Sequence, residues 1–540
     1  MTPDPLHGLP SDLRAVLLRG GLGRDSLLAA VRTGNAALER LTDPDQRAAT
    51  SRVSRHALLA AWEAAPFNGE LAQHARDMAE TPDPARDAVL AEMAARRKPP
   101  QSLAYYQRLM ARRDGGKVLG FLAGRLAEEP ENSFWWDQAY SFGLFAAEPE
   151  WFEDHFYPRL PDSMASLAAR VRGDSLLSRD RLEEAEAAYA GAGESVWVLS
   201  ARAEARRRLG GRDEAADLLR QAVRFRPWQV HLPLRLYDLA TGRDRETAPL
   251  DGDVAVLLYS YGKPDLLDAT LSSLFASDLP DGARVVVLDN GSGGRTPEVL
   301  DSWRQCACGR IETVELPVNV GAAAARNWLS SLPSVQAAAY CCYLDDDVDL
   351  PPDWLARLGA AVRAHPEAYV WGCKVVEHGS PHVVQHADLH LMPEGDPAQP
   401  ESEDFRVAGT HTEAPDLGQF GYIRPCLSVT GCCHLFRTAE LLEGGPFSIH
   451  LSPSQYDDLE RDLRLAARGR YAAYQGFLSV RHKKGSGKAS LSSASEDAGA
   501  RGNAVKLKAM HPLEEARQLM VEDADRLAAD LAAKLREVTC

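Results

Sequence analysis

A chain of 540 residues exceeds one ordinary domain, so two or three are expected. With 45% apolar and 26% charged residues it reads as soluble and globular, and a net charge of −16 argues against nucleic acid as the default partner, because phosphate binding wants a basic surface. No apolar run approaches the ~20 residues of a membrane span, and the first thirty residues lack a basic segment followed by an apolar core, so the expectation is a cytoplasmic protein with no signal peptide and no transmembrane segment.

Residues 1–245 are rich in Ala, Leu, Arg and Glu at helical spacing, with no convincing strand. The clearest stretch is "DRLEEAEAAYAGAGESVWVLSARAEARRRLGGRDEAADLLRQAVRFRPW", in which Leu182 to Ala185 recurs as Arg212 to Ala215, thirty residues later. Each marks the start of a helix whose alanines permit close packing, and Pro227 closes the second unit. This resembles a tetratricopeptide repeat at a slightly short period. Units of that kind cannot bury their faces alone and stack into a solenoid.

The pattern changes at the polar linker Thr241 to Asp253. Beyond it come "VAVLLYSY", a helical segment from Asp265 to Phe275, "RVVVLDN", a helix bearing Arg326 and Asn327, and the apolar strand "AAYCCYLDDD". Strands alternating with helices predict a parallel sheet covered on both faces. Met392 to Pro425, acidic and rich in Pro and Gly, is expected to be a mobile insertion, and Ser486 to Gly502 a second loop. A charged amphipathic helix from about Leu513 to Val538 ends the chain. The division is therefore 1–245, 246–512 and 513–540. Nine cysteines fall mostly as neighbours (Cys306 and Cys308, Cys341 and Cys342, Cys432 and Cys433) and never as CxxC, which suits reduced core thiols rather than disulfides or zinc.

In an open parallel sheet, ligands bind at the carboxyl ends of the strands. Three strand ends terminate in polar clusters here: Tyr259, Ser260 and Tyr261; Asp289 and Asn290; Asp345, Asp346 and Asp347. A single Asp is an ordinary turn or cap residue. Three in a row repel one another, and the usual remedy is a hard divalent cation, Mg2+ or Mn2+. His378, His382, His386 and His390 recur every four residues, but Pro381 and the preceding Gly-Ser turn forbid one helix carrying all four.

Eight motifs in order, from "VAVLLYSYGKPDLLDATLSSLFA", "VVVLDNGSGG", "PVNVGAAAARNWLS" and "YLDDDVDLPPDWL" through "WGCKVVEHGSPHVVQHAD", "VTGCCHLFRTAELLEGGPF" and "YDDLERDLRLAARGRY" to "RHKKGSGK", resemble the family-two inverting glycosyltransferases. The resemblance implies a GT-A fold, a Rossmann-like mixed α/β sheet binding a nucleoside diphosphate sugar, here preceded by an all-α helical-repeat domain. It gives Asp289 the hydrogen bond to the nucleotide base, with Ser260 and Tyr261 beside that base. Arg326 resembles the cation that reaches the diphosphate. Asp345 and Asp346 stand in the DxD motif on the donor side, and Asp347 is the metal ligand, joined by His482. Asp458 is the implied general base; Asp457 stands where the family has Glu, and the shorter side chain leaves its part open. Gly431, Arg437 and His390 fall on the acceptor side of the pattern. Lys483, Lys484 and Lys488 offer further anion contacts or a solvated basic loop.

The function expected from these residues is metal-assisted transfer of a hexosyl group, with inversion, from a nucleotide sugar to a hydroxyl of a protein or glycan recruited by the repeats, in a bacterial-type cytoplasmic enzyme. A nucleotidyltransferase is the first rival, although "YSYGKPD" is not the basic Gly-rich loop that class uses. A non-catalytic scaffold of repeats and an inactive transferase-like domain is the second, and Asp345, Asp347, Asp458 and His482 weigh against it.

Overall fold

The computed structural model describes residues 4–78, 83–112, 114–307, 309–394, 404–408, 410–412, 414–483 and 494–539. The chain divides into two compact units, one comprising Met1–Thr241, Thr410–Gln419 and Leu531–Cys540, the other Gly242–Gly409 and Phe420–Asp530. The first unit thus takes in two later segments that a single cut near residue 245 does not anticipate.

Every regular element of the first unit is helical among the described residues. Leu182 and Arg212 are the first residues of helices Leu182–Tyr189 and Arg212–Phe225. Ala185, Ala203, Ala215 and Ala222 are all buried, as close helix packing requires. Asp174, near the end of helix Ala165–Ser178, accepts the Tyr189 hydroxyl at 2.7 Å and the Trp197 indole at 3.1 Å, so three successive helices share one buried carboxylate. An open solenoid would confine contacts to neighbouring repeats. Here the array is also tied across long sequence separations. Glu63, in helix Pro44–Ala64, takes both terminal nitrogens of Arg226 at 2.6 and 2.5 Å, and Gln229 Nε2 donates to the Gly21 carbonyl at 3.2 Å.

Among the described residues the second unit has twelve strands: β1 (Val254–Ser260), β2 (Arg284–Asp289), β3 (Ile311–Glu315), β4 (Tyr340–Leu344), β5 (Val348–Asp349), β6 (Val370–Glu377), β7 (Val384–His386), β8 (Leu391–Glu394), β9 (Asp404–Val407), β10 (Ile423–Cys426), β11 (Cys433–Arg437) and β12 (Ala472–His482). The main sheet runs β10-β12-β6-β11-β4-β1-β2-β3, with β5 beside β12 and β7 beside β6. β1 to β4 are parallel, and β11 lies antiparallel between β4 and β6. The result is a mixed sheet of GT-A type rather than a wholly parallel one. β1 pairs with β2 on one side and β4 on the other, so the strand order reverses at β1 and opens a crevice at the strand ends. The core strands are apolar on both faces because helices cover both: Val256, Leu258, Val285, Val287, Cys342 and Leu344 have no exposed surface.

Two expectations for loops change. Within Met392 to Pro425, the described residues include β9, which pairs with β8, and β10, which joins the main sheet; residues 395–403 lie outside the described ones. Within Ser486 to Gly502, helix Ala494–Met510 occupies the second half, because Ala and Glu there outweigh the glycines in helix propensity. Lys484 and Lys488 lie outside the described residues. The last helix runs Leu513–Thr539.

Candidate active site

The register of β1, β2 and β4 sets Ser260 beside Asp289 and two residues beyond the level of Leu344, so the expected strand ends converge. Ser260 Oγ donates to Asp346 Oδ2 at 2.6 Å. Lys263, three residues past β1, places its ammonium 3.1 Å from Asp346 Oδ1 and 2.8 Å from Asp347 Oδ2. His482, the last residue of β12, sets Nε2 2.9 Å from Asp347 Oδ1 and 3.8 Å from Asp345 Oδ2. Its Nδ1 meets the Gln385 side-chain oxygen at 2.7 Å. An amide oxygen only accepts, so Nδ1 carries a proton there and Nε2 is turned toward the aspartates. Burial alone would raise the Asp347 carboxyl, but His482 and Lys263 hold it well below the usual range. Burial likewise pulls His482 down, and Asp347 more than reverses it. Asp345 keeps the most open face of the three, with its side chain 27% exposed.

Beside this cluster, Asp289 Oδ1 accepts the Ser292 amide at 2.9 Å, and Asn290 bridges to Asn319 and to the Val320 amide. Gly291 must be glycine: its φ is +77°, and a Cβ would lie 2.5 Å from the Val318 carbonyl carbon. Tyr261 is 53% exposed at the β1 end.

A second carboxylate site forms where helix Asp457–Ala466 begins. Asp458 Oδ2 accepts the Gly431 amide at 2.6 Å, and Oδ1 accepts the Leu459 amide at 2.8 Å. Asp457, 2% exposed, is ion-paired with Arg326. Arg326 therefore faces the base-side carboxylates.

Other sequence candidates lie apart. His390 does not face an open cleft: it is 2% exposed, with Nδ1 3.0 Å from Asp523 and Nε2 3.1 Å from Asp388, in a buried cluster with Arg424. His378 pairs with Asp349 at 2.8 Å. Arg437 pairs in register with Tyr340, at the opposite end of β4 from Asp345, and lies 4.9 Å over the Trp371 ring. Lys263 and Gln385 are contributors that the sequence pattern did not single out.

Asp345, Cys432 and His482 bring one donor atom each within 4.8 Å of one another. Burial pushes the Cys432 thiol well above its usual range, and Asp345 adds to this. A neutral thiol is a poor ligand for Mn2+ or Mg2+, which prefer oxygen and imidazole. The fitting donor set is therefore Asp345, Asp347 and His482, with Gln385 orienting the imidazole.

Residues 255–426 match the model of the family described as Glycosyl transferase family 2. The second unit carries a glycosyltransferase domain of that family. Among solved structures, the chain is similar to GalNAc-T7 in a crystal structure with UDP, GalNAc and Mn2+, at 13% identity and a TM-score of 0.37 over 48% of each chain. It is also similar to the mannosyltransferase PcManGT from Pyrobaculum calidifontis, in complex with GDP-Man and Mn2+, at 17% identity and a TM-score of 0.36 over 57% of this chain and 82% of that one. The chain thus spans about half the length of the first of these. No curated protein sequence matches it. Among the described residues, no helix is long and apolar enough to cross a membrane.

Proposed function

We propose that the second unit transfers a hexosyl group from a nucleoside diphosphate sugar to an acceptor hydroxyl with inversion at the anomeric carbon. The observation that carries this reading is the pair of separate carboxylate sites at one end of the sheet. Asp345, Asp346 and Asp347 gather with Lys263 and His482, while Asp458 stands with Gly431 on another element. One-step inversion needs that separation, since the base works on the face opposite the departing diphosphate.

In this mechanism Asp289 and Tyr261 hold the nucleotide base, with Ser260 keeping Asp346 in place. Asp345, Asp347 and His482 are the residues that would hold Mn2+ or Mg2+. When bound, the cation supplies positive charge against the diphosphate oxygens as they become the leaving group. Asp458 accepts the proton of the acceptor hydroxyl while that oxygen attacks the anomeric carbon. The helical unit is proposed to recruit the acceptor, a protein or glycan, or a protein partner, and the whole to work in the cytoplasm.

The test is a panel of UDP- and GDP-sugars incubated with the full chain, with Mn2+ and then with excess chelator. Release of nucleoside diphosphate from one donor, abolished by chelator, is the expected result. Turnover unchanged in chelator would sink the metal-assisted mechanism, and no turnover of any donor would favour the scaffold reading. Against a natural acceptor, loss of residues 1–245 should cost transfer but leave donor hydrolysis; equal transfer would remove the recruiting role.

A further inference from the structure

The sequence pattern gives Arg326 to the donor diphosphate, but its surroundings commit it elsewhere. It sits in helix Ala322–Ser331 with a side chain only 5% exposed. Nη1 is occupied by Asp457. The faces of the guanidinium lie 5.4 Å from the Tyr259 ring and 5.5 Å from the Phe447 ring. Its remaining edge fills the space where a side chain of residue 431 would begin. A Cβ built on Gly431 would lie 2.4 Å from Nη2, 3.0 Å from Cζ and 3.1 Å from Asp458 Oδ2. The cation and the Asp458 carboxylate therefore flank Gly431 together, and the Gly431 amide donates to that same Oδ2 at 2.6 Å. Leaving Asp457 for a diphosphate would strand a buried carboxylate, which is strongly unfavourable.

We infer that Arg326 is a positioning residue for the base: it locks the turn at Gly431 to the first turn of helix Asp457–Ala466, so that the Gly431 amide aims Asp458. This rests on reading Asp458 as the base. Its two oxygens each accept one backbone amide, from Leu459 and Gly431, which leaves a lone pair on each for the acceptor proton. The absence of a Cβ at 431 is a condition of the arrangement, because any side chain there would displace the guanidinium.

The experiment compares Arg326→Met and Arg326→Lys with the wild type in two measurements. One is affinity for UDP and GDP in the presence of Mn2+. The other is kcat on whichever nucleotide sugar the wild type hydrolyses. The Met variant should keep nucleotide affinity within about threefold while kcat falls by ~10²-fold or more. The Lys variant keeps the charge without the planar fork, so it should recover only part of kcat. Arg326→Met leaves Asp457 unpaired, so the double variant Arg326→Met/Asp457→Asn guards against simple misfolding and should show the same kinetic pattern with its melting temperature restored. Nucleotide affinity falling in step with kcat would return Arg326 to the diphosphate and overturn the inference. A double variant with normal kcat would make the pair merely structural and overturn it too. Asp458→Asn separates the two levels. Normal turnover in that variant ends the base reading itself, whereas an inactive Asp458→Asn beside an unimpaired Arg326→Met ends only the role given to Arg326.

Discussion

Both units bury charged side chains, but they balance them differently. In the helical unit two buried acids fasten helices through full sets of donors: Glu63 takes two guanidinium nitrogens of Arg226, and Asp174 takes a phenol and an indole. In the α/β unit three consecutive aspartates face one lysine and one histidine, and of a further acid pair Asp457 takes Arg326 while Asp458 accepts backbone amides. Satisfied charges fasten elements together. An excess of like charge at a strand end costs stability and is relieved by a ligand of opposite sign, which is why such imbalance accompanies function.

That contrast can be broken by taking charge from each region in turn. The largest effect is expected at Asp458. Asn is as good as Asp near a helix start but cannot take a proton, so Asp458→Asn should lower turnover by ~10²–10⁴-fold with donor affinity and melting temperature unchanged. Lost donor affinity would mean the two carboxylate sites have been confused. Next comes Asp347→Ala, which should lose divalent-dependent turnover and nucleotide diphosphate binding together, by about 10²-fold, the scale on which metal sites respond to lost partners. The fold should survive, because one member of a repelling trio has gone. Full activity of this variant in chelator would show that no ion is used.

In the helical unit the same kind of change should strike stability instead. Glu63→Gln leaves Arg226 buried without its carboxylate, and removing one partner of such a pair costs about 3–5 kcal/mol. The measurement is calorimetry of the full chain, in which one transition should fall while donor hydrolysis below that temperature is retained. The double variant Glu63→Met/Arg226→Leu should recover most of the loss. A Glu63→Gln protein that melts normally would show the pair to be incidental.

The sequence carried what depends on local pattern. The helix starts at Leu182 and Arg212, the aspartates after β4 and the final helix were legible because periodicity, propensity and a run of like charge are written in neighbouring residues. It could not carry partners brought from afar. Gln385 reaches His482 across 97 positions, and Asp523 reaches His390 across 133. Lys263 left a faint signal, a basic residue just past a strand whose neighbouring strand ends in three acids. Arg326 shows the limit of motif reading: its position in the chain was clear, yet only the fold reveals that Asp457 occupies it.

The smallest expected effect concerns two buried acids whose carboxyls burial raises, one in each unit. Asp137 lies in helix Ser133–Ala146 at 6% exposure; Oδ2 accepts from Asn68 at 3.2 Å, and Oδ1 has no hydrogen bond among the described residues. Burial raises its carboxyl to about 6, although Arg24 and Arg97 oppose this. Asp462 accepts the Ser428 hydroxyl at 2.7 Å and is raised by burial to about 7. Both folded-state values exceed the unfolded one. Each group therefore contributes stability that is complete below about pH 4 and is lost as pH rises through its folded value, near 6 for Asp137 and near 7 for Asp462. Asn is neutral at every pH, so Asp137→Asn should match the wild type near pH 4 and exceed it near pH 7.5 by on the order of 2 kcal/mol. Melting of the full chain at those two pH values measures the difference directly. If the two proteins lose stability in parallel, Asp137 is already ionised in the fold, held by its arginines as Glu63 is by Arg226, and the helical unit then has no unbalanced acid at this position.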